Sequence, residues 1–346
     1  MDFTIASVLT LDGLTNGAVY ALLGMGIVLI FAVTRVIFIP QGEFVAYGAL
    51  TLAVFQMGQV PGTVWLLFIL AAIASAMEFF TIWRHHGSVR HAIKAALRTA
   101  LPAVVVGLVA LWAAPHRFPL LVQALLSLAI VTAYGPLVYR VAYQSLAGAS
   151  ILVLLIVSVG VHFAMTGLGL LFFGAEGFRN PPFWDARLDL GPITLSGQAC
   201  IIFLASAALI VLLWLLFERS LYGKALQATA VNRLGARLMG ISTEGAGRLT
   251  FAVTALIGAL SGLLIGPTTT VFYDSGFLIG LKGFVVAVIA GLHSYPGALL
   301  GALGVGLIES FGSFWASAFK EVIVFTIVLP VLLWRSLRSP HLDEEH

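Results

Sequence analysis

The chain has 346 residues, of which 60% are hydrophobic and only 10% are charged. Soluble domains carry about 25% charged residues, so a soluble globular fold is excluded and lipid is expected to solvate most of this chain. The net charge is +3, and the basic residues lie at the ends of apolar runs without an aromatic-rich basic face. Nucleic acid is therefore not an expected partner.

Eleven apolar windows follow one another, and each is near the ~20 residues that cross a bilayer as a helix. In chain order they cover residues 7–33, 42–58, 63–83, 99–114, 118–139, 150–173, 193–217, 248–267, 277–291, 297–312 and 319–334. The sequence predicts an all-α, polytopic transmembrane helical bundle of about nine to eleven segments. We expect one domain, 1–346, and we expect 42–58, 99–114 and 277–291 to be broken or re-entrant.

Basic residues follow every second window. Arg35 follows the first window, residues 84–98 the third, Arg140 the fifth, residues 219–248 the seventh and Arg335 the last. Positive residues are retained on the cytoplasmic side of membranes. We therefore expect the N-terminus outside and the C-terminus in the cytoplasm. The opening residues MDFT lack a positive region, so no cleavable signal peptide is expected.

Catalytic motifs do not favour an enzyme. The Gly-Lys pair at 223–224 is followed by Ala225, so a P-loop is absent, and the HExxH and GxSxG patterns are absent as well. His85, His86 and His91 stand in a basic loop, where a positively charged anchor is favoured over a metal site. We expect no catalytic residue, metal or cofactor in this chain.

The polar, basic segment 219–248 interrupts the apolar windows and is too polar to span. Within it Leu226, Ala230, Leu234 and Leu238 recur at every fourth position, which predicts one apolar stripe on a single helix over 224–240. Arg233 and Arg237 form an opposing basic stripe. The helix is expected to lie on the lipid surface or in the groove of a partner protein.

Charged residues in apolar surroundings are the remaining candidates. Glu43 follows the Pro-Gln-Gly break at 40–42, which predicts either a break that lines a path or an ordinary helix start. Lys282 and Glu309 lie in apolar windows, where charge is costly, so they are expected to pair or to lie near an interface. His162 is expected to be packed or hydrogen-bonded, with a pathway role as the alternative.

Four segments together carry a family resemblance. They read DGLTNGAVYAL from Asp12, IPQGE from Ile39, ATAVNRLGARLMGI from Ala228, and GLKGF, GLHSYPGA and GLIE between Gly280 and Glu309. In this order they resemble the membrane permease subunits of branched-chain amino acid ABC importers, a group that also includes urea and amide permeases. Pro40 and Gln41 depart from the residues usual in the second motif, and residues 84–117 are expected to be an insertion relative to the family.

The resemblance implies an ATP-driven importer in the bacterial inner membrane. Its partners would be a second permease subunit, two ABC ATPase subunits that bind ATP, and an external substrate-binding protein. Residues 219–248 would be the cytoplasmic coupling loop, with ATPase-coupling residues Ala228, Asn232, Arg233, Leu234, Ala236, Arg237, Leu238 and Gly240. Gln41, Gly42, Glu43 and Lys282 would line the translocation path.

The implied substrates are branched-chain amino acids, with urea and short amides as alternatives. A stand-alone secondary transporter and an intramembrane enzyme remain rival readings of the same composition.

Overall fold

The computed structural model describes residues 3–86, 89–189, 194–292 and 294–338. The helices are α1 (Phe3–Thr34), α2 (Gln41–Gln56), α3 (Gly62–His86), α4 (Val89–Ala113), α5 (Leu120–Val138), α6 (Ile151–Phe173), α7 (Gly197–Arg219), α8 (Leu221–Val231), α9 (Arg233–Leu238), α10 (Thr243–Ile265), α11 (Ser275–Ile289), α12 (Tyr295–Trp315), α13 (Lys320–Thr326) and α14 (Val328–Arg338). Over these ranges nine helical stretches are long and apolar enough to cross a membrane. The predicted all-α, polytopic bundle is confirmed.

A small ribbon that the sequence did not predict lies between α6 and α7. Strands β1 (Arg187–Asp189) and β2 (Thr194–Ser196) pair antiparallel, with Leu188 opposite Leu195. Leu9 near the start of α1 lines the same cavity as Ser196, whereas Leu29 near its end packs on Leu226 of α8. We call these two ends of the bundle the hairpin end and the α8 end.

Helices α1 and α10 form the centre of the bundle. The most apolar window of α1 is 94% buried, although every residue in it could face lipid on composition alone. The windows of α3 and α7 are each only 22% buried, and these helices expose side chains such as Trp65 and Leu212. Helices of similarly apolar composition thus have different surroundings. Helix α1 is surrounded by protein, whereas the peripheral helices face lipid.

The prediction that 99–114 is broken or re-entrant is wrong. Helix α4 runs without interruption from Val89 to Ala113, and Pro102 lies inside it. Basic residues in its first turns shortened the apolar window and hid the true helix start. Proline is tolerated in membrane helices because neighbouring helices satisfy the freed backbone groups. Helix α4 packs along α3, where Ser75 donates a hydrogen bond of 3.2 Å to the Ala96 carbonyl oxygen.

The other two windows that were expected to be broken or re-entrant form short, uninterrupted helices. Helix α2 has 16 residues and α11 has 15, which is less than a bilayer crossing requires. The last window is covered by a stretch from Ser317 to Trp334 that is divided between α13 and α14. That 84–117 is an insertion relative to the family stays a prediction.

Glycine allows α2 and α10 to cross at backbone distance. A Cβ atom on Gly262 of α10 would lie 2.0 Å from the carbonyl oxygen of Val45, and one on Gly48 of α2 would lie 2.7 Å from that of Ala259. Small residues promote this kind of approach between membrane helices, because packing rather than water drives their association.

Gly262→Ala is therefore expected to destabilise the fold by about 1–3 kcal/mol, the usual cost of overpacking. The midpoint of thermal denaturation in detergent, followed by fluorescence-detected size exclusion, measures the change. Gly304→Ala is the matched control, because a Cβ atom there meets nothing within 4 Å. Equal midpoints for the two variants would contradict the backbone contact at Gly262.

Candidate functional site

The starts of α2 and α11 lie against each other inside the bundle. A Cβ atom on Gly42 would lie 1.7 Å from the carbonyl oxygen of Gly276 and 2.8 Å from the amide nitrogen of Gly280. Gln41 is buried beside this contact and donates a hydrogen bond of 3.2 Å to the Thr254 carbonyl oxygen. Helix N-termini carry unpaired N–H groups and partial positive charge, so two such ends are concentrated at one buried point.

Glu43 lies in the first turn of α2, and its side chain is 1% exposed. Its Oε1 atom is 3.0 Å from Nδ1 of His162 on α6, and the His162 ring packs on Phe277 with 5.0 Å between centroids. Carboxylates are stabilised in the first turn of a helix. Within the described residues Oε2 of Glu43 and Oε1 of Gln41 have no hydrogen-bond partner. His162 is therefore packed and paired, and Glu43 stands at a helix start. That this break lines a path stays a prediction.

Lys282 of α11 forms the second polar group. Its Nζ atom is 2.6 Å from Oε1 of Glu309 on α12 and 3.1 Å from Oε1 of Glu321 on α13. Tyr20 of α1 donates a hydrogen bond of 2.6 Å to Oε2 of Glu309. The side chains of Lys282 and Glu309 are 7% and 9% exposed. This buried cluster connects α1, α11, α12 and α13. The expectation that Lys282 and Glu309 pair is confirmed.

This ionic group lies in the wall of a cavity of about 720 Å³ at the hairpin end. Asp12, Thr15 and Asn16 of α1 line the cavity, together with Ser196 of β2 and Lys320 at the start of α13. Carboxylates, hydroxyls and ammonium groups thus surround one space. Such a cavity suits a small polar or zwitterionic solute better than an apolar one.

The four predicted path residues divide between these two places. Gln41, Gly42 and Glu43 are together at the buried start of α2. Lys282 lies two residues after Gly280, which rotates it by about 200° around α11. Gly280 therefore faces α2, and Lys282 faces α1 and α12. Helix α11 therefore connects the two places.

The prediction of one helix over 224–240 is wrong. Helix α8 ends at Val231 and α9 begins at Arg233, and Asn232 lies between them in an extended conformation. Its side-chain oxygen accepts a hydrogen bond of 2.8 Å from the Gly235 amide, so it caps α9. Asparagine favours such caps over helix interiors because its side chain competes for backbone donors.

The break divides the predicted apolar stripe. Leu226 is buried against Leu29 and Val33 of α1, whereas Leu234 and Leu238 are 68% and 79% exposed. The other predicted coupling residues fall on both sides of this division. Ala236 is buried, Ala228 is half-buried, and Asn232 and Gly240 are exposed. Met239 is 83% exposed and extends the apolar patch, which the periodicity did not include.

Arg233 and Arg237, the predicted basic stripe, contact their own chain. Arg233 Nη1 donates a hydrogen bond of 2.6 Å to the Ala147 carbonyl oxygen, between α5 and α6. Arg237 Nη2 lies 3.4 Å from Oγ1 of Thr243, at the start of α10. These contacts fasten α9 to the bundle while Leu234 and Leu238 remain exposed. The sequence pattern, which shows only basic residues near a helix end, did not predict these contacts within the chain.

Sequence reasoning missed three partners in these groups. Tyr20 and Glu321 complete the cluster at Lys282, and His162 pairs with Glu43. Tyr20 was visible inside the first family motif, but its partner lies 289 residues away. A lone histidine in an apolar window was the one available signal for His162, because a polar group buried in lipid requires a partner.

Lys282→Met is expected to destabilise the chain by about 3–5 kcal/mol, because it leaves the buried Glu309 without its cation. Lys282→Met combined with Glu309→Gln is expected to recover part of this loss, since the uncompensated charge is then removed. Thermal midpoints in detergent measure both changes.

Lys320→Met is the control for that experiment. Its side chain is 43% exposed and lies 3.9 Å from Glu321, so its contribution is screened by solvent and the midpoint should hardly move. Equal losses for Lys282→Met and Lys320→Met would contradict the buried pair.

Known proteins and a protein-family model are similar to this chain. The family model described as the permease component of the branched-chain amino acid transport system matches residues 93–333. The chain is 26% identical over 338 residues to the high-affinity branched-chain amino acid transport permease BraD of Pseudomonas aeruginosa, which covers 94% of this chain and 92% of the relative. No solved structure matches the chain significantly.

Two further relatives show the range of the similarity. The permease LivH of Escherichia coli K12, also of high-affinity branched-chain amino acid transport, is 28% identical over 60% of this chain and 70% of its own length. The xylose/arabinose import permease XylH of Sulfolobus acidocaldarius is 25% identical over 54% of each chain. With a family model matching well over half of its length, this multi-pass membrane chain belongs to the family of branched-chain amino acid transport permeases.

Proposed function

We propose that this chain is one permease subunit of an ATP-driven ABC importer of branched-chain amino acids in a bacterial inner membrane. A second permease subunit, two ATPase subunits and an external substrate-binding protein complete the complex. ATP is bound and hydrolysed by the ATPase subunits. The α8 end lies in the cytoplasm, and the hairpin end faces outside, in agreement with the basic residues that follow every second window.

The observation that carries the proposal is the apolar patch of Leu234, Leu238 and Met239. These side chains are more than two-thirds exposed, yet they lie on a capped helix fastened to the bundle. A helix that inserts its apolar face into a groove is a common mode of protein recognition. The patch lies at the basic end of the bundle, where an ATPase subunit would dock.

The contacts of α8 and α9 support a mechanical role. Leu226 anchors α8 against α1, Arg233 holds the turn after α5, and Arg237 contacts the start of α10. A movement of the docked ATPase would therefore act on α1, α5 and α10 together. Helix α10 packs closely on α2 at Gly262, which connects the docking surface with the buried start of α2.

The cavity at the hairpin end is the proposed entry of the path. A branched-chain amino acid is a zwitterion with a small apolar side chain, so it needs both charges matched and some apolar wall. Lys282 and Lys320 offer cations, Asp12 and Glu321 offer anions, and Leu278 offers apolar surface. Within the group Oε2 of Glu321 is buried and has no hydrogen-bond partner among the described residues, so this carboxylate retains the capacity to accept a further hydrogen bond.

Substrate identity follows from the relatives and not from the cavity alone. BraD and LivH are named for branched-chain amino acids, whereas XylH is named for xylose and arabinose. Urea and short amides remain alternatives with the same machinery. A stand-alone secondary transporter would need neither the exposed patch on α9 nor a partner.

Reconstitution of the complete complex in proteoliposomes tests the substrate and the energy source. We expect uptake of radiolabelled leucine, isoleucine or valine that requires internal ATP, the ATPase subunits and the binding protein. Labelled urea, acetamide and xylose serve as competing substrates. Leucine uptake by the chain alone without ATP would establish a secondary transporter, and uptake of urea in preference to leucine would reassign the substrate.

Leu234→Asp with Leu238→Asp is expected to abolish co-purification of the ATPase subunits and ATP-dependent uptake. Both side chains are exposed in the chain itself, so the variant should fold normally. Gln227→Asp is the matched control, since Gln227 is exposed on α8 outside the apolar patch. Because the ATPase acts in the cytoplasm, the assay also tests the orientation of the α8 end. Normal assembly of the double variant would contradict the docking surface.

A further inference from the structure

A second large cavity lies at the α8 end, away from both polar groups described above. It has a volume of about 730 Å³ and is enclosed by α3, α4, α5 and the first turns of α10. Helix α4 packs against α3 and α5 and supplies one whole wall of the cavity. Neither the proposed path nor the α9 patch uses this space.

The cavity carries three arginines and two glutamates, which leaves one positive charge in excess. Glu78 is shared, with 2.6 Å to Nε of Arg140 and 3.2 Å to Nη2 of Arg248. Glu244 accepts a hydrogen bond of 2.6 Å from Gln144. Both carboxylates are therefore already engaged.

The third arginine, Arg98 of α4, differs from the other two. Its side chain is exposed, and among the residues described here it makes no ion pair. Arg98 lines the same cavity as Arg140 and Arg248. Guanidinium groups present a planar fork of donors that matches phosphate oxygens. The excess charge of the cavity thus belongs to a group that is free to bind an anion.

Half of the residues that line the cavity are apolar. They include Pro102 and Ala103, which follow Arg98 by about one turn of α4, and Ala133 and Leu137 of α5. Outside the cavity α4 exposes Leu97 and Leu101, so this flank would face lipid tails in a membrane. A ligand that fills the cavity therefore needs an anionic head at the α8 end and a hydrocarbon part that extends toward the membrane centre.

We propose that this cavity binds the phosphate group of an anionic phospholipid, with Arg98 as its principal ligand beside the Arg140–Glu78–Arg248 group. Basic pockets between membrane helices near the surface are typical of headgroup sites. The apolar half distinguishes a lipid phosphate from free phosphate, because a free anion gains nothing from Ala133 and Leu137. The site joins α4 to α10 through the bound lipid.

Native mass spectrometry of the full chain released from detergent tests the proposal with phosphatidylglycerol and phosphatidylcholine as probes. We expect one phosphatidylglycerol molecule to be retained preferentially. Arg98→Gln should weaken its binding roughly fivefold, the contribution of one basic residue near the membrane surface. Ala95→Phe should also remove it, because Ala95 lines the cavity and the substitution fills space without changing charge.

Arg90→Gln is the matched control, since Arg90 is exposed on the same helix and does not line the cavity. Equal weakening by Arg98→Gln and Arg90→Gln would overturn the site in favour of general surface charge. Unchanged retention in Ala95→Phe, or equal retention of phosphatidylcholine, would also overturn it. Thermal protection by inorganic phosphate as strong as that by phosphatidylglycerol would exclude the lipid. If Ala95→Phe does not fold, the contrast between the two arginine variants decides.

Discussion

The backbone contact between Gly42 and Gly276 is the constraint on which the functional part of the bundle depends. Every backbone N–H and C=O in lipid needs an internal partner, so two helix starts can lie at depth only where protein surrounds them. Glycine on both sides removes the side chains that would otherwise keep the helices apart. Glu43, one residue further, then enters the first turn of α2, where the helix dipole stabilises its charge.

The same contact fixes the position of Lys282. Helix α11 begins at Ser275, presents Gly276 and Gly280 to α2, and therefore turns Lys282 toward α1 and α12. There Glu309 and Glu321 supply the counter-charges that a buried ammonium group requires. One short helix thus carries a close-packed glycine face and an ionic face. Its 15 residues begin at the close contact with the start of α2.

Local patterns in the sequence predicted much of the fold, and long-range pairs were out of reach. The apolar windows predicted the spans, since hydropathy is a local property. The Pro-Gln-Gly break at 40–42 indicated where α2 starts. The window at 99–114 failed because Arg98 and its neighbours truncated the apolar run of α4. Periodicity placed Leu234 and Leu238 on one face, but it could not predict that Asn232 ends α8 and caps α9. Partners such as Tyr20 and Glu309 meet only through the packing of α1 on α12.

Helix α10 connects the regions to which we assign separate roles. Thr243 at its start contacts Arg237 of α9, Arg248 shares Glu78 with Arg140, and the Thr254 carbonyl oxygen accepts from Gln41. Its glycine face lies on the backbone of α2, so the helix cannot slide there without separating the two. A push on α9 would therefore reach the start of α2 as a rigid displacement of α10. A lipid phosphate beside Arg248 would act on the same helix, so its occupancy would bias the movement that ATPase docking drives.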